Sequence, residues 1–418
     1  MILGENVSNV YSKGKEINKV YSYGKLVWEK NSGEIDYSRK YFTVKANEDN
    51  VKIALVGSDN LVVNYKYKLN DSNWETSNEI FVLNEGDILS LASVSTDNES
   101  VYKIVAAKTF DVSGNIMSLF YGDKFIGKKE LPHTLQNFFE GTKIQNAENL
   151  VLPTTTLTPL CYYRMFYECP LLTAPKILPA TTLADYCYKE MFAYCEYLTT
   201  PPELPATTLA LQCYCRMFSW CHHMHVAPEL PATTLAPQCY YEMFNYCLIR
   251  KAPKILPATT LTEHCYFRMF YECPYLTTPP ELPATTLAKS CYYEMFAYCV
   301  RLTYAPELPA TTLADYCYSG MFWECTKLTV APELPATTLV EGCYNKMFAF
   351  CGRIHYLKCY ATGSVISLSD CISNWLYYTG MYNEDDEEWK VGTLECYESY
   401  ANSLSKYTPN WWDVKYIV

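Results

Sequence analysis

The sequence predicts an α/β solenoid of eight 26-residue repeats, preceded by an all-β N-terminal region. Three observations predict it. The hexapeptide L-P-A-T-T-L begins at Leu178, Leu204, Leu230, Leu256, Leu282, Leu308 and Leu334, and the variant LPTTTL begins at Leu152, always 26 residues apart. Within each copy apolar residues recur every four positions, as Leu, Cys-Tyr, Met-Phe and Cys, which predicts one face of a helix of about three turns. A short extended stretch, L-T-x-A-P, then ends in a Pro that cannot donate a ladder hydrogen bond. One copy cannot bury such a face alone, but a stack of copies can.

The elements follow in order. The Thr pair after Pro is placed to cap the helix, and the L-T-x-A-P stretch supplies one strand per copy. Parallel strands stack at roughly 4.8 Å, so eight coils predict a body on the order of 40 Å long. Residues 152–359 hold the copies. Residues 113–151 read as a connector and an N-terminal cap. There Leu131 to Val151 forms a degraded half-repeat, with Phe138-Phe139 in the Met-Phe place and Thr142 in the Cys place. Residues 360–418 lose the pattern and read as a C-terminal cap with its own small core, holding Cys371, Trp375, Trp389, Trp411 and Trp412.

Upstream, residues 1–35 predict a small β segment from two near-repeats, VSNVYSKGKE and INKVYSYGKLVWEK, with Gly14 and Gly24 at turns. Residues 36–112 alternate apolar and polar, with turn signals at Asp59-Asn60, Asn70-Asp71 and Glu85-Gly86. That pattern predicts a β-sandwich-like domain.

Sixteen of the 20 cysteines occupy two fixed places in the repeat, spaced C-x7-C. On a helix that spacing is roughly 12 Å at 1.5 Å per residue, beyond the reach of a disulfide. Cys also serves as a small buried apolar residue, so two ladders of reduced thiols are predicted. The third copy gathers Cys213, Cys215, Cys221, His222, His223 and His225, which are zinc-ligand types. Cys213 and Cys221 belong to the inward frame, however, so no metal is expected. The run Asn383 to Glu388 (NEDDEE) reads as an exposed acidic loop.

Composition narrows the function. The formal net charge is −11 and no basic stripe is present, so a nucleic-acid partner is not expected. No stretch of 18 apolar residues predicts membrane insertion, and no secretory leader is expected at the start of the chain. The strand-end glutamates Glu203, Glu229, Glu281, Glu307 and Glu333 are periodic, which points to a structural place. A glycosidase would need carboxylates paired at a set separation. No nucleophile–base constellation or phosphate loop appears. No enzyme activity and no cofactor are expected.

The core M-F-x-x-C-x-x-L-T, seen at Met191-Phe192, Cys195 and Leu198, resembles the A-F-x-x-C-x-x-L of BspA-like leucine-rich repeats. The resemblance covers residues 131 to about 359. It implies a right-handed solenoid used for adhesion or recognition, with no catalytic residues to transfer. The segment VYSKGKEINKVYSYGKLVWEK resembles the leading segment of bacteriophage tail-fibre and adhesin proteins, where it attaches the protein to the virion. The segment Ser369 to Trp375 and the ending TPNWWDVKYIV resemble the closing cap of phage adhesins built on LPATTLA repeats. Together these imply a virion location, in the tail or fibre, with a bacterial cell surface as the alternative.

The candidate binding surface lies where the copies differ. The two places between Phe and the second Cys hold one aromatic in every copy: Tyr167, Tyr194, Trp220, Tyr246, Tyr271, Tyr298, Trp323 and Phe350. A helix would set them opposite the apolar stripe, where Lys and Glu are usual, and exposed apolar rows need explaining. Variable places nearby add Tyr163, Tyr241, Phe267 and Tyr293, and places after the second Cys add Tyr197, His223, Tyr275 and Arg301. The copies hold 22 Tyr, of which eight are frame residues; the remaining Tyr are the large, rigid, amphipathic contacts that binding surfaces favour. The alternative is that each ring packs on the next coil. The expected partners are a host-surface glycan or protein receptor and, through the N-terminal region, other virion tail proteins. A homo-oligomer is left open, and so is a purely structural virion role.

Overall fold

The computed structural model describes residues 35–94, 102–380 and 391–417, with the backbone of four N-terminal strands. Those strands form two hairpins: β1 (Val10–Ser12) with β2 (Lys15–Ile17), and β3 (Lys19–Ser22) with β4 (Lys25–Glu29). Trp389 and the acidic run from Asn383 to Glu388 lie outside the described residues.

Eight strands follow: β5 (Phe42–Ala46), β6 (Val51–Val56), β7 (Tyr65–Leu69), β8 (Glu75–Ser77), β9 (Phe81–Leu83), β10 (Ile88–Ser93), β11 (Lys103–Ala106) and β12 (Phe110–Asn115). They make two sheets, ordered β13-β12-β5-β10-β7-β8 and β11-β6-β9, where β13 is Ile144–Val151. Phe42 and Val44 from the first sheet and Val51 and Ile53 from the second meet in one apolar cluster. Asn60, Asn70 and Gly86 stand between strands at φ of 62°, 51° and 86°, a region that Asn and Gly tolerate best. Strand β13 runs parallel to β12. It also begins the repeat stack, because Asn146 bridges to Thr173.

The eight copies stack one on the next, and no α-helix forms in residues 152–359. The predicted helix is therefore corrected. Each helical stretch is instead an arc of consecutive four-residue turns. In the second copy the N–H groups of Cys187, Lys189, Met191, Ala193 and Cys195 donate three residues back, to the carbonyls of Ala184, Tyr186, Tyr188, Glu190 and Phe192. The intervening residues Tyr186, Tyr188, Glu190, Phe192 and Tyr194 donate to the following copy, at Leu211, Cys213, Cys215, Met217 and Ser219. Every N–H of the arc thus has a partner, half within the coil and half across it.

The third residue of every second turn lies in the left-handed region: Tyr186, Glu190 and Tyr194, in turns 184–187, 188–191 and 192–195, have φ of 60°, 56° and 60°. That reversal keeps the arc from winding into a helix. It costs a non-glycine residue roughly 1–2 kcal/mol, and the inter-coil bonds and the core must offset it. A period of 4.0 suits the arc slightly better than a helix, in which at 3.6 residues per turn the stripe would drift around the axis. The Thr pair caps nothing. Thr182, Thr208, Thr234, Thr260 and Thr286 are exposed, and parallel bridges join Thr156 to Thr182, Thr208 to Thr234 and Thr260 to Thr286. The L-T-x-A-P strand is likewise reduced to single bridges such as Thr173 to Thr200.

Two ring ladders and two thiol ladders fill the interior. Phe166, Phe192, Phe218 and Phe244 stack at centroid spacings of 5.3, 5.6 and 5.7 Å. Tyr162, Tyr188, Tyr214 and Tyr240 stack likewise, at 5.6 to 5.7 Å. All 20 cysteines are unpaired and buried. The second thiol ladder also donates hydrogen bonds. Cys195 Sγ lies 3.0 Å from the Phe166 carbonyl, and Cys221 Sγ lies 3.2 Å from that of Phe192. Hydroxyls appear at both ends of this ladder. Phe139 stacks on Phe166 at 5.0 Å, and Thr142 Oγ1 lies 3.8 Å from Cys169 Sγ. At the other end Thr379 Oγ1 donates to the Phe348 carbonyl at 2.7 Å.

The last copy pairs with the C-terminal cap: β15 (Tyr356–Cys359) forms a parallel sheet with β17 (Gly392–Cys396) and β18 (Trp412–Tyr416), and β14 (Thr338–Leu339) pairs with β16 (Gly363–Ser364). Three short helices complete the described chain: α1 (Ser118–Tyr121), α2 (Leu368–Ile372) and α3 (Glu398–Leu404). Trp375 is fully buried and donates to the Tyr407 carbonyl, while Trp411 and Trp412 both donate to that of Thr379. Strands outnumber helices, and among the described residues no sheet closes on itself. Among the described residues no helix is long and apolar enough to cross a membrane.

Candidate binding surface

The turn geometry divides each arc into core pairs and pairs at the rim of the core. Cys187-Tyr188 and Met191-Phe192 are core pairs, and Lys189-Glu190 and Ala193-Tyr194 alternate with them, with Glu190 and Ala193 themselves buried. The two places between Phe and the second Cys form the last rim pair. A ring in the second place follows a small residue or Asn, as in Ala193-Tyr194, Ser219-Trp220, Asn245-Tyr246 and Ala297-Tyr298. A ring in the first place precedes Glu, as in Tyr167-Glu168, Tyr271-Glu272 and Trp323-Glu324. Both arrangements deliver the ring to the same file.

That file is continuous from Tyr167 to Trp323. The successive centroids Tyr167, Tyr194, Trp220, Tyr246, Tyr271, Tyr298 and Trp323 are 5.4, 5.8, 4.4, 5.8, 5.5 and 5.0 Å apart. Tyr194 and Phe350 are exposed and the other rings are half-buried. Each ring thus packs on its neighbour and also meets solvent. Phe350 continues the file toward Tyr378 at 5.4 Å.

The remaining candidates fall into two shorter files. Tyr241, Phe267 and Tyr293 stack face to face at 4.7 Å with only 3° between planes. Tyr163 holds the same column in the first copy, beneath the Arg164 guanidinium. Beyond the second Cys, Tyr197 stacks on His223 at 5.3 Å. Tyr275 lies under Arg301 at 4.4 Å and Arg250 at 5.7 Å. Cys213, Cys215 and Cys221 are buried, whereas His223 and His225 are exposed on backbone carbonyls. Among the described residues no three His, Cys, Asp or Glu converge on one point.

One feature escaped the reading along the chain. The place just before Met-Phe holds, copy by copy, Arg164, Glu190, Arg216, Glu242, Arg268, Glu294, Gly320 and Lys346. Stacking converts this alternation into a charge ladder. Arg164 Nε donates to Glu190 at 2.6 Å, Arg216 to Glu242 at 2.6 Å and Arg268 to Glu294 at 2.7 Å. The three glutamates are buried, and the three arginines remain a third to a half exposed. Arg164 also lies 4.5 Å from the Tyr167 ring and Arg268 lies 4.9 Å from that of Tyr271. The signal was present in the sequence, but only when the copies are read down a column.

The ladder and the ring file border a groove of about 350 Å³ spanning five copies, from Arg164 to Tyr271, a volume typical of small-ligand sites. Asn245 lines it, is 7% exposed, and its Oδ1 has no hydrogen-bond partner. No protein-family model matches the chain, and no curated protein matches it.

Proposed function

We propose that the protein is a phage tail-fibre or adhesin-type receptor-binding protein, acting without catalysis or a cofactor. In this reading the eight copies are a right-handed solenoid of the BspA-like leucine-rich-repeat kind. The N-terminal β region attaches to other virion tail proteins, and the ring-bearing face meets a glycan or protein on the host-cell surface. The observation that carries the reading is the continuous file from Tyr167 to Trp323. A solvated face would be expected to carry Lys and Glu, yet rings reach this file from two different sequence places. Large rings with flanking Arg are what binding hot spots use. A second reading is favoured by the contact of each ring with its neighbour: a structural virion component whose ring file packs on another tail protein.

The test is binding of the full chain to a panel of intact bacterial cells that includes its source, with the chain located in purified virions or in cell envelopes. Saturable cell binding, lost when Tyr194, Trp220, Tyr246 and Tyr298 are replaced together, supports the adhesin. Virion location without cell binding favours the structural component. Envelope location favours a bacterial surface adhesin.

A further inference from the structure

We infer that the groove beside the ring file is a subsite for a neutral, extended glycan chain lying along the stack axis. This rests on the reading of the face as a recognition surface and names its ligand class.

Four observations carry it. First, every arginine lining the groove is already paired, Arg164 and Arg216 with Glu190 and Glu242, which also line it, and Arg268 with Glu294 just beyond it. Arg164, Arg216 and Arg268 each donate to a buried glutamate. An anionic ligand would have to compete with carboxylates already in place, and a cationic one with the guanidinium groups. A hydroxyl instead can donate to a carboxylate oxygen and accept from a guanidinium in the same site. Second, Trp220 and Tyr246, stacked on each other at 4.4 Å, both line the middle of the groove, and an indole N–H and a phenol O–H are groups that hydrogen-bond sugar hydroxyls. Third, Asn245 Oδ1 is buried, unpartnered and part of the groove lining. A buried acceptor without a partner is costly, and a ligand hydroxyl donating to it would remove that cost. Fourth, the lining repeats along the stack, with a ring in every copy and an Arg–Glu pair in every second copy. Frame rings repeat at 5.3 to 5.7 Å, close to the advance of one pyranose ring in an extended chain. A linear polymer of similar units matches a site built as a ladder; a folded protein epitope does not need one.

The test titrates the full chain with neutral linear hexasaccharides of glucose, mannose, galactose and N-acetylglucosamine in β linkage, following tryptophan fluorescence and calorimetry. Matching disaccharides and a sulfated hexasaccharide serve as comparisons. At least one neutral hexasaccharide is expected to bind, more tightly than its disaccharide and with little dependence on salt. Trp220→Ala should weaken it by roughly tenfold or more. Asn245→Leu should weaken it as well while leaving the melting temperature of the free chain unchanged or higher, a result that a purely structural Asn would not give. The inference is overturned if no neutral hexasaccharide binds, if only the sulfated chain binds, or if neither substitution changes affinity. Cell binding that persists while the whole panel fails would sink the glycan subsite and leave the receptor-binding reading standing. Absence of cell binding would sink the reading itself.

Discussion

Arg216 Nε and Glu242 Oε2 meet at 2.6 Å although 26 residues separate them, and Glu242 is only 7% exposed where Arg216 is 46% exposed. The pair joins the third copy to the fourth at the groove, so it bears on stability and on recognition together. Removing Arg216 leaves Glu242 with only the Arg268 guanidinium, 3.9 Å away. Arg216→Met should cost roughly 1–3 kcal/mol in urea unfolding, because a buried carboxylate loses its closest charged donor. The double variant Arg216→Met, Glu242→Gln should recover much of that loss. Equal destabilisation by the single and double variants would contradict the burial argument.

The left-handed turns predict a sign. In an exposed helix interior, Gly in place of another residue costs about 1 kcal/mol. Leu160, partly exposed at φ 58°, stands at the third place of the turn 158–161. Leu160→Gly should therefore be neutral or stabilising by up to about 1 kcal/mol. A loss of that size would restore the helix. The reverse change at Gly342, φ 58°, should destabilise, because a Cβ there would lie 2.2 Å from Tyr316 Cδ1.

Two left-handed glycines, Gly320 and Gly342, show how much of the fold was legible along the chain. The 26-residue register was plain from identity between copies, and so were the inward places of Cys, Tyr, Met and Phe. The arc was not. Gly320 and Gly342 both fill left-handed places, but in different columns, and elsewhere those places hold residues such as Tyr186, Arg216 and Glu242 that carry no turn signature. A stripe repeating every four residues fits a helix nearly as well as a chain of turns, and only the inter-coil hydrogen bonds separate them. The ring file was legible as a set of residues. The Arg–Glu ladder beneath it was not, because its meaning lies between copies 26 residues apart.

Alkaline pH should unfold the stack steeply. Burial pushes the Cys239, Cys247 and Cys291 thiols up to about 12, and those of Cys195 and Cys221 well above their ordinary range. Unfolded thiols titrate near 9. Below that pH both states keep the proton, and the stability contribution is complete. Above it the unfolded chain loses protons that the folded chain retains, so stability falls by about 1.4 kcal/mol per pH unit for each thiol. Urea midpoints should be flat in this respect below pH 9 and drop sharply between 9 and 12. A flat profile through that window would contradict thiol burial.

The same burial predicts that a thiol-reactive dye near pH 8 labels the native chain very slowly and labels all 20 cysteines once it is unfolded. Rapid labelling of frame cysteines without denaturant would place them outside the core.

The most direct test of the recognition face replaces Tyr194, Trp220, Tyr246 and Tyr298 together with Ser in the full chain. Cell binding and thermal unfolding are then measured side by side. Binding should fall by two orders of magnitude or more, on the scale of several lost hot-spot rings at about 1–2 kcal/mol each, while the chain still unfolds cooperatively. Undiminished binding by a folded quadruple variant would contradict the assignment of this face.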